Sequence, residues 1–205
     1  MNFILVNLQT IEMITMKRAG IFILFLLAAH GGNAQTGSEI YLLDISNKKG
    51  KMTLSGPVNV TNHPGYDNQP FFHSDKPILY YSSCNEEGRS DILSYDYSKK
   101  KTTPITQTHE REYSPTLTLD KKYLSCIIQR DNGEQNLGKY PVDGGKPVVL
   151  IDNLVVGYHA WLDDDRVLIF VLGDPLTLHL YNVKTKEDKI IAENIGRYIQ
   201  RIPNE

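Results

Sequence analysis

Three stretches of this chain align without a gap at a spacing of 45 residues: YDNQPFFHSDKPILYYSS from Tyr66, REYSPTLTLDKKYLSCII from Arg111 and VGYHAWLDDDRVLIFVLG from Val156. The alignment superposes Pro70, Pro115 and Ala160. It also superposes Asp75-Lys76, Asp120-Lys121 and Asp165-Arg166, and the apolar runs at 78–80, 123–125 and 168–170. A unit of this length holding several short strands buries its apolar face only by stacking on its neighbours. The fold class expected is therefore all-β, a β-propeller of four-stranded antiparallel blades.

Each unit divides into strands a to d, with units at about 62–106, 107–151 and 152–192. Alternating, β-branched and aromatic residues place strands at 69–73, 78–82, 92–97 and 103–106 in the first. The second has them at 116–119, 123–128, 137–142 and 147–151, and the third at 160–162, 167–172, 178–183 and 189–192. Gly88 and Gly133 share one repeat position, in b–c turns where a tight hairpin calls for positive φ. The shorter third b–c turn uses Gly173-Asp174-Pro175.

The chain ends read as pieces of blades. Residues 39–45 (EIYLLDI) match strand c and residues 57–61 match strand d. Residues 195–203 match the start of another strand a, with Ile195-Gly196-Arg197-Tyr198 resembling Val156-Gly157-Tyr158-His159. About three full blades plus partial ones are present, whereas propellers run from four to eight blades, so the sequence reads as part of a longer propeller.

Before the repeats, Lys17-Arg18 precede an apolar run at 21–29 and a small-residue stretch ending Gly32-Asn33-Ala34. That order is a secretory signal peptide, and the apolar core is shorter than the ~20 residues a bilayer span needs. The expectation is an N-terminal extension and signal over residues 1–34, with Met16 as the start of translation and a mature propeller over 35–205. No Cys stands near the cleavage site, which argues against a lipid-anchored form. The expected location is exported, periplasmic or secreted, with no membrane span in the mature chain.

Composition narrows the partners. A formal net charge of −2 and 22% charged residues carry no basic stripe, so no nucleic-acid partner is expected. The lysines at 48–51 and 99–101 fall in hairpin turns and read as solvated. The two cysteines, Cys84 and Cys126, read as separate thiols.

A strand a that ends in a Ser-Pro-Asp-Gly-type turn, then an Ile-x-Phe-x-Ser strand, then Asp-Ile-Tyr-x-x-Asp, is the repeat of the TolB-type, WD-repeat-like β-propellers. Here QPFFHSDKPILYYSS leads to RSDILSYDY, the second unit has SPTLTLDKKYLSCII, SEIYLLDI is similar to the third strand, and TNHPGYDNQP is similar to the leading loop. The turn glycine is replaced by Pro77, Lys122 and Val167, and Ala160 replaces the proline. The resemblance implies an exported bacterial propeller, six-bladed when complete, that binds partners rather than catalyses. The same propeller is also attached to prolyl-oligopeptidase-type peptidases and occurs in polysaccharide lyases. Fold alone does not choose among these.

The repeated Asp75, Asp120 and Asp165 read as turn formers, each bonding its own backbone two residues on. The d–a loops gather at the channel mouth of a propeller and carry the candidate ligand-binding set: His63, Tyr66, Asp67, His109, Arg111, Glu112, Tyr158 and His159. Asp67 and Glu112 share one repeat position. No Gly-x-Ser-x-Gly nucleophile elbow occurs, and Tyr113 stands where a zinc-protease helix after His109-Glu110 would need its second His. Asp163-Asp164-Asp165 lacks the alternation and glycine of a Ca²⁺ loop. No catalytic residue, cofactor or metal is therefore expected. A lyase site would draw on His63, His109 and His159. The sequon Asn59-Val60-Thr61 overlaps a strand and matters only in a eukaryotic secretory route. The leading expectation is a non-enzymatic scaffold that binds a protein or cell-envelope polymer at the channel mouth. The alternatives are a propeller-type polysaccharide lyase and the propeller domain of a larger peptidase.

Overall fold

Alternation of side chains along each strand sends successive residues to opposite faces, and here both faces of the middle strands meet protein. The computed structural model describes residues 37–85 and 87–200. The expected leader over 1–34 and the stretch 201–205 lie outside the described residues.

Three four-stranded antiparallel sheets follow one another. The first holds β5 (Tyr66–Phe72), β6 (Ile78–Cys84), β7 (Ser90–Asp96) and β8 (Lys101–Pro104). The second holds β9 (Arg111–Leu117), β10 (Tyr123–Gln129), β11 (Gln135–Pro141) and β12 (Val148–Ile151). The third holds β13 (Val156–Trp161), β14 (Arg166–Val171), β15 (Thr177–Asn182) and β16 (Asp188–Glu193). Each meanders in sequence order, which is the blade of a β-propeller. No helix occurs among the described residues. Strand a begins about three to five residues earlier than the alternation indicates, because the polar loop residues at its start are held against the preceding blade.

The N-terminal piece is a broken c–d pair. β1 (Tyr41–Leu42) pairs with β4 (Val58–Asn59), while β2 (Ile45–Lys48) and β3 (Lys51–Leu54) extend it as a hairpin. Residues 195–200, expected to start another strand a, form no strand.

The core lies between blades. Leu79 and Tyr81 of β6 pack with Ile40 and Tyr95, whereas Tyr80, one residue along, packs with Leu124, Cys126, Ile128 and Tyr140 of the second blade. On the far face of β10, Ile127 joins Leu137, Val167, Ile169 and Trp161 of the next interface. This explains why β6 and β10 are buried almost end to end: a sheet covered on both faces loses the polar-out half of its alternation. Cys126 is fully buried in this layer, Cys84 is half-buried, and both are free thiols.

Every inner strand is bulged near its start. The pairing slips between Asn68 and Phe71 in the first blade, opposite Ser125/Ile127 in the second, and between Val156 and Tyr158 in the third. In the first two the kink is a left-handed residue, Gln69 (φ 55°) and Ser114 (φ 55°), at one repeat position just before Pro70 and Pro115. The third blade places Gly157 at its bulge instead. A Cβ there would stand 3.1 Å from Phe170 Cδ1.

Candidate functional site: the loops leading into the inner strands

The strand-a starts divide into buried and accessible groups. Asp67 (2% exposed) and Glu112 (0%) are inside the protein, as is His159 (5%). Tyr66, Arg111 and Tyr158 are half-buried, His63 keeps 38% of its side chain exposed, and His109 is exposed.

The two buried carboxylates stand at equivalent joints between blades. Ser90 Oγ, at the start of β7, donates to the Glu112 carbonyl (3.0 Å), and the Ile92 amide donates to Thr106 Oγ1 (2.8 Å). Thr106 Oγ1 in turn reaches Asp91 Oδ1 (3.1 Å). One blade earlier, Ser38 Oγ donates to the Asp67 carbonyl (2.8 Å) and the Ile40 amide to Thr61 Oγ1 (3.0 Å). Thr61 Oγ1 donates to Glu39 Oε2 (2.5 Å). The Glu112 carboxylate receives Thr108 Oγ1 (2.7 Å), Tyr140 Oη (2.8 Å) and Thr106 Oγ1 (3.3 Å). Burial pushes its pKa up, and these donors pull against that shift. At the third joint Gly157, Asn136 and Ile151 occupy the positions of the carboxylate, Asp91 and Thr106. There Gln135 Nε2 donates to the Val156 carbonyl instead (2.9 Å).

His159 is buried too, and one of its ring nitrogens is engaged. Its Nε2 lies 2.6 Å from Ser125 Oγ, which also receives Trp161 Nε1 at 2.8 Å. Burial alone lowers its pKa to about 3, so the ring is neutral. Ser125 is fully buried, and a Ser–His contact sealed from solvent offers no nucleophile to a substrate. His63 bonds Ser83 Oγ and the Pro64 carbonyl, so the three histidines named for a lyase sit in separate surroundings with no hydrogen bond among them. Among the described residues no three His, Cys, Asp or Glu side chains are placed to hold a metal ion.

Arg111 is tied down at the rim. Its Nη1 and that of Arg89 both bond Asp131 Oδ1 (3.0 and 2.6 Å), and its Nε donates to the Gly88 carbonyl (3.3 Å). The two guanidiniums hold the Asp131 carboxyl down at about 2. The b–c turns of two blades are thereby clipped to the start of β9. Tyr66 Oη accepts from Asn68, and the Tyr158 ring meets Phe170 edge-on at 5.9 Å.

The three aspartates of the a–b turns play different parts. Asp120 Oδ1 accepts from the Lys122 amide two residues on (3.0 Å) and from Thr118 Oγ1 (2.6 Å). Asp75 instead pairs with Lys121 of the next blade, which lowers its pKa. In the third blade Asp163, not Asp165, caps the turn, accepting from the amides of Asp165 (3.1 Å) and Arg166 (2.7 Å). Asn59 of the sequon uses its Oδ1 to accept the amides of Thr61 and Asn62 at 3.1 Å.

Ser38, Ser90, Thr61, Thr106, Thr108 and Tyr140 were not singled out in the sequence. The 45-residue recurrence of Thr61 and Thr106 is their signal in the sequence, and it is a faint one, because an isolated Thr in a d strand is unremarkable. On the opposite side of the first interface, a cleft of about 420 Å³ is lined by Lys76, Tyr80, Lys101, Val142 and Asp143.

No family model matches the sequence, and no curated protein matches it. Solved structures do. The protein described as TolB of Agrobacterium tumefaciens is 16% identical with a TM-score of 0.59, over 75% of this chain and 60% of that one. TolB of Acinetobacter baumannii is 13% identical with a TM-score of 0.57, over 77% of this chain and 43% of that one. A puromycin-hydrolyzing peptidase of Mycobacterium tuberculosis is 15% identical with a TM-score of 0.52, over 74% of this chain and 24% of that one. The likeness thus spans less than two thirds of each of these proteins. With its meandering four-stranded sheets, bulged inner strands and inter-blade cores, the chain has the TolB-like β-propeller fold.

Proposed function

We propose that this chain is a non-enzymatic, exported propeller scaffold that binds a protein or a cell-envelope polymer with the loops leading into β5, β9 and β13. The division at these loops carries the reading. Asp67, Glu112 and His159 are buried inside the protein, while His109, Tyr66, Tyr158 and Arg111 keep exposed surface at the loops. Aromatic and arginine side chains fixed on a rigid base are the usual anchors of protein interfaces. The expected leader and the likeness to TolB structures support export and partner binding.

The test is a capture from cell-envelope extract, followed by titration of the captured partner against His109→Ala, Tyr66→Ala and Tyr158→Ala, each checked for folding. Anchors at a binding site cost about 1–4 kcal/mol when truncated. Lys184→Ala, on an exposed turn of the third blade, serves as control. Equal affinity of all four proteins for the partner would remove the site from these loops.

A second reading rests on the peptidase likeness: the segment is the propeller of a larger hydrolase. It requires that a longer protein containing residues 37–200 hydrolyse puromycin or peptide amides. Absence of that activity would eliminate it.

A further inference from the structure

We propose that the joint between the N-terminal partial blade and the first full blade is tightened by acid, through a His63 imidazolium that closes on the buried Asp67 carboxylate. The joint is built like the one at Glu112, but the residue that leads into its strand a differs in kind. Thr108, which donates to Glu112, is replaced at its repeat position by His63. The consequence is visible in the partners. Glu112 has three hydroxyl donors. Neither oxygen of Asp67 receives a hydrogen bond, although its side chain is wholly buried. The nearest cation-forming atom is His63 Nε2, 3.2 Å from Asp67 Oδ1.

The His63 ring is set between oxygens. Nδ1 lies 2.9 Å from the Pro64 carbonyl, an obligate acceptor, so it carries a proton. In the neutral ring Nε2 then presents a lone pair toward the Asp67 carboxylate, with Ser83 Oγ at 3.0 Å its only donor. In the imidazolium both nitrogens donate. Nε2–H then answers the buried carboxylate and frees the Ser83 hydroxyl, so only the doubly protonated ring satisfies both sides.

The other ionisable groups facing Asp67 do not substitute for this proton. Glu39, from the segment before β1, repels it. Tyr81 and Cys84 of β6 are neutral, with burial pushing both upward. Arg111, which acts on Cys84, is engaged with Asp131. Asp67's own pKa is raised, first by burial. His63 pulls against that shift, so the ring already acts on the carboxylate. An imidazolium that finds its acceptor only in the folded state adds stability at lower pH and loses it as pH rises. The joint therefore loosens as pH rises.

The measurement is amide hydrogen exchange on the full chain, corrected for intrinsic rates, at pH 5.5 and pH 8.0. The informative amides are Asp67, which donates across this joint to the Ser38 carbonyl, and Ile40, which donates to Thr61 Oγ1 on the partial-blade side of it. Their protection is expected to be about fivefold greater at the lower pH, the worth of a pair with one exposed partner. The Ile92 amide at the Glu112 joint, which lacks a histidine, should show no such difference. His63→Thr, copying Thr108, should abolish the pH difference and leave the fold intact, and Asp67→Asn should do the same. Equal protection at both pH values in the unmodified protein would overturn the proposal. So would a pH difference that survives in His63→Thr.

Discussion

Gln69 Oε1 accepts a hydrogen bond from the backbone amide of Ser114 at 2.8 Å, and the two residues are repeat equivalents 45 positions apart. Each is the left-handed residue of its own strand's bulge. The kink that re-aims Gln69 therefore satisfies the amide exposed by the next kink, so adjacent blades are stitched at their inner edge. Gln69→Ala removes that acceptor and the partner of Ser82 Oγ (3.2 Å). A buried donor left without its acceptor costs about 1–3 kcal/mol. The urea midpoint of Gln69→Ala should fall accordingly, with little change in slope.

Glu112 behaves as a buried acid with three donors. Glu112→Ala should cost about 2–3 kcal/mol, because Thr108 Oγ1 and Tyr140 Oη both lose their acceptor. Its raised pKa gives a sign as well. Stability contributed by the protonated acid is lost as pH rises through its folded value. Glu112→Gln stays neutral and should flatten that part of the stability–pH curve, read by denaturation at several pH values.

His159 has the opposite sign. A histidine depressed to about 3 contributes stability above its unfolded value of ~6.5 and loses it as pH falls toward 3. His159→Gln should therefore lose less stability than the parent between pH 6.5 and pH 4. The single tryptophan, Trp161, is 6% exposed and bonded to the same Ser125 hydroxyl, so its fluorescence reports this layer. A red shift that follows acid equally in both proteins would count against the assignment.

Gly138 and Gly133 separate space from conformation. A Cβ on Gly138 would lie 2.5 Å from Ile128 Cδ1, between the first and second full blades, and overpacking of that kind costs about 1–3 kcal/mol. Gly133 has open space around it but a φ of 88°, so Gly133→Ala is strained by backbone alone, about 1 kcal/mol. Thermal melting should rank Gly138→Ala as the more damaging.

The blades were legible in the order of residues. A 45-residue recurrence of strand-forming runs and turn residues is written in local order, because period-two alternation, turn glycines such as Gly88 and Gly133, and polar hairpin tips act over a few residues. The candidate loops were legible as positions too, since Asp67 and Glu112 recur together. What those residues face depends on how the blades stack. Glu112 meets Tyr140 from 28 positions away, and His159 meets Ser125 from 34 away. Burial between blades depends on such distant partners, and a charged residue next to a loop reads as solvated until a neighbouring sheet covers it. For the same reason the three turn aspartates looked alike in sequence, while Asp75 found Lys121 on the next blade and Asp165 gave way to Asp163.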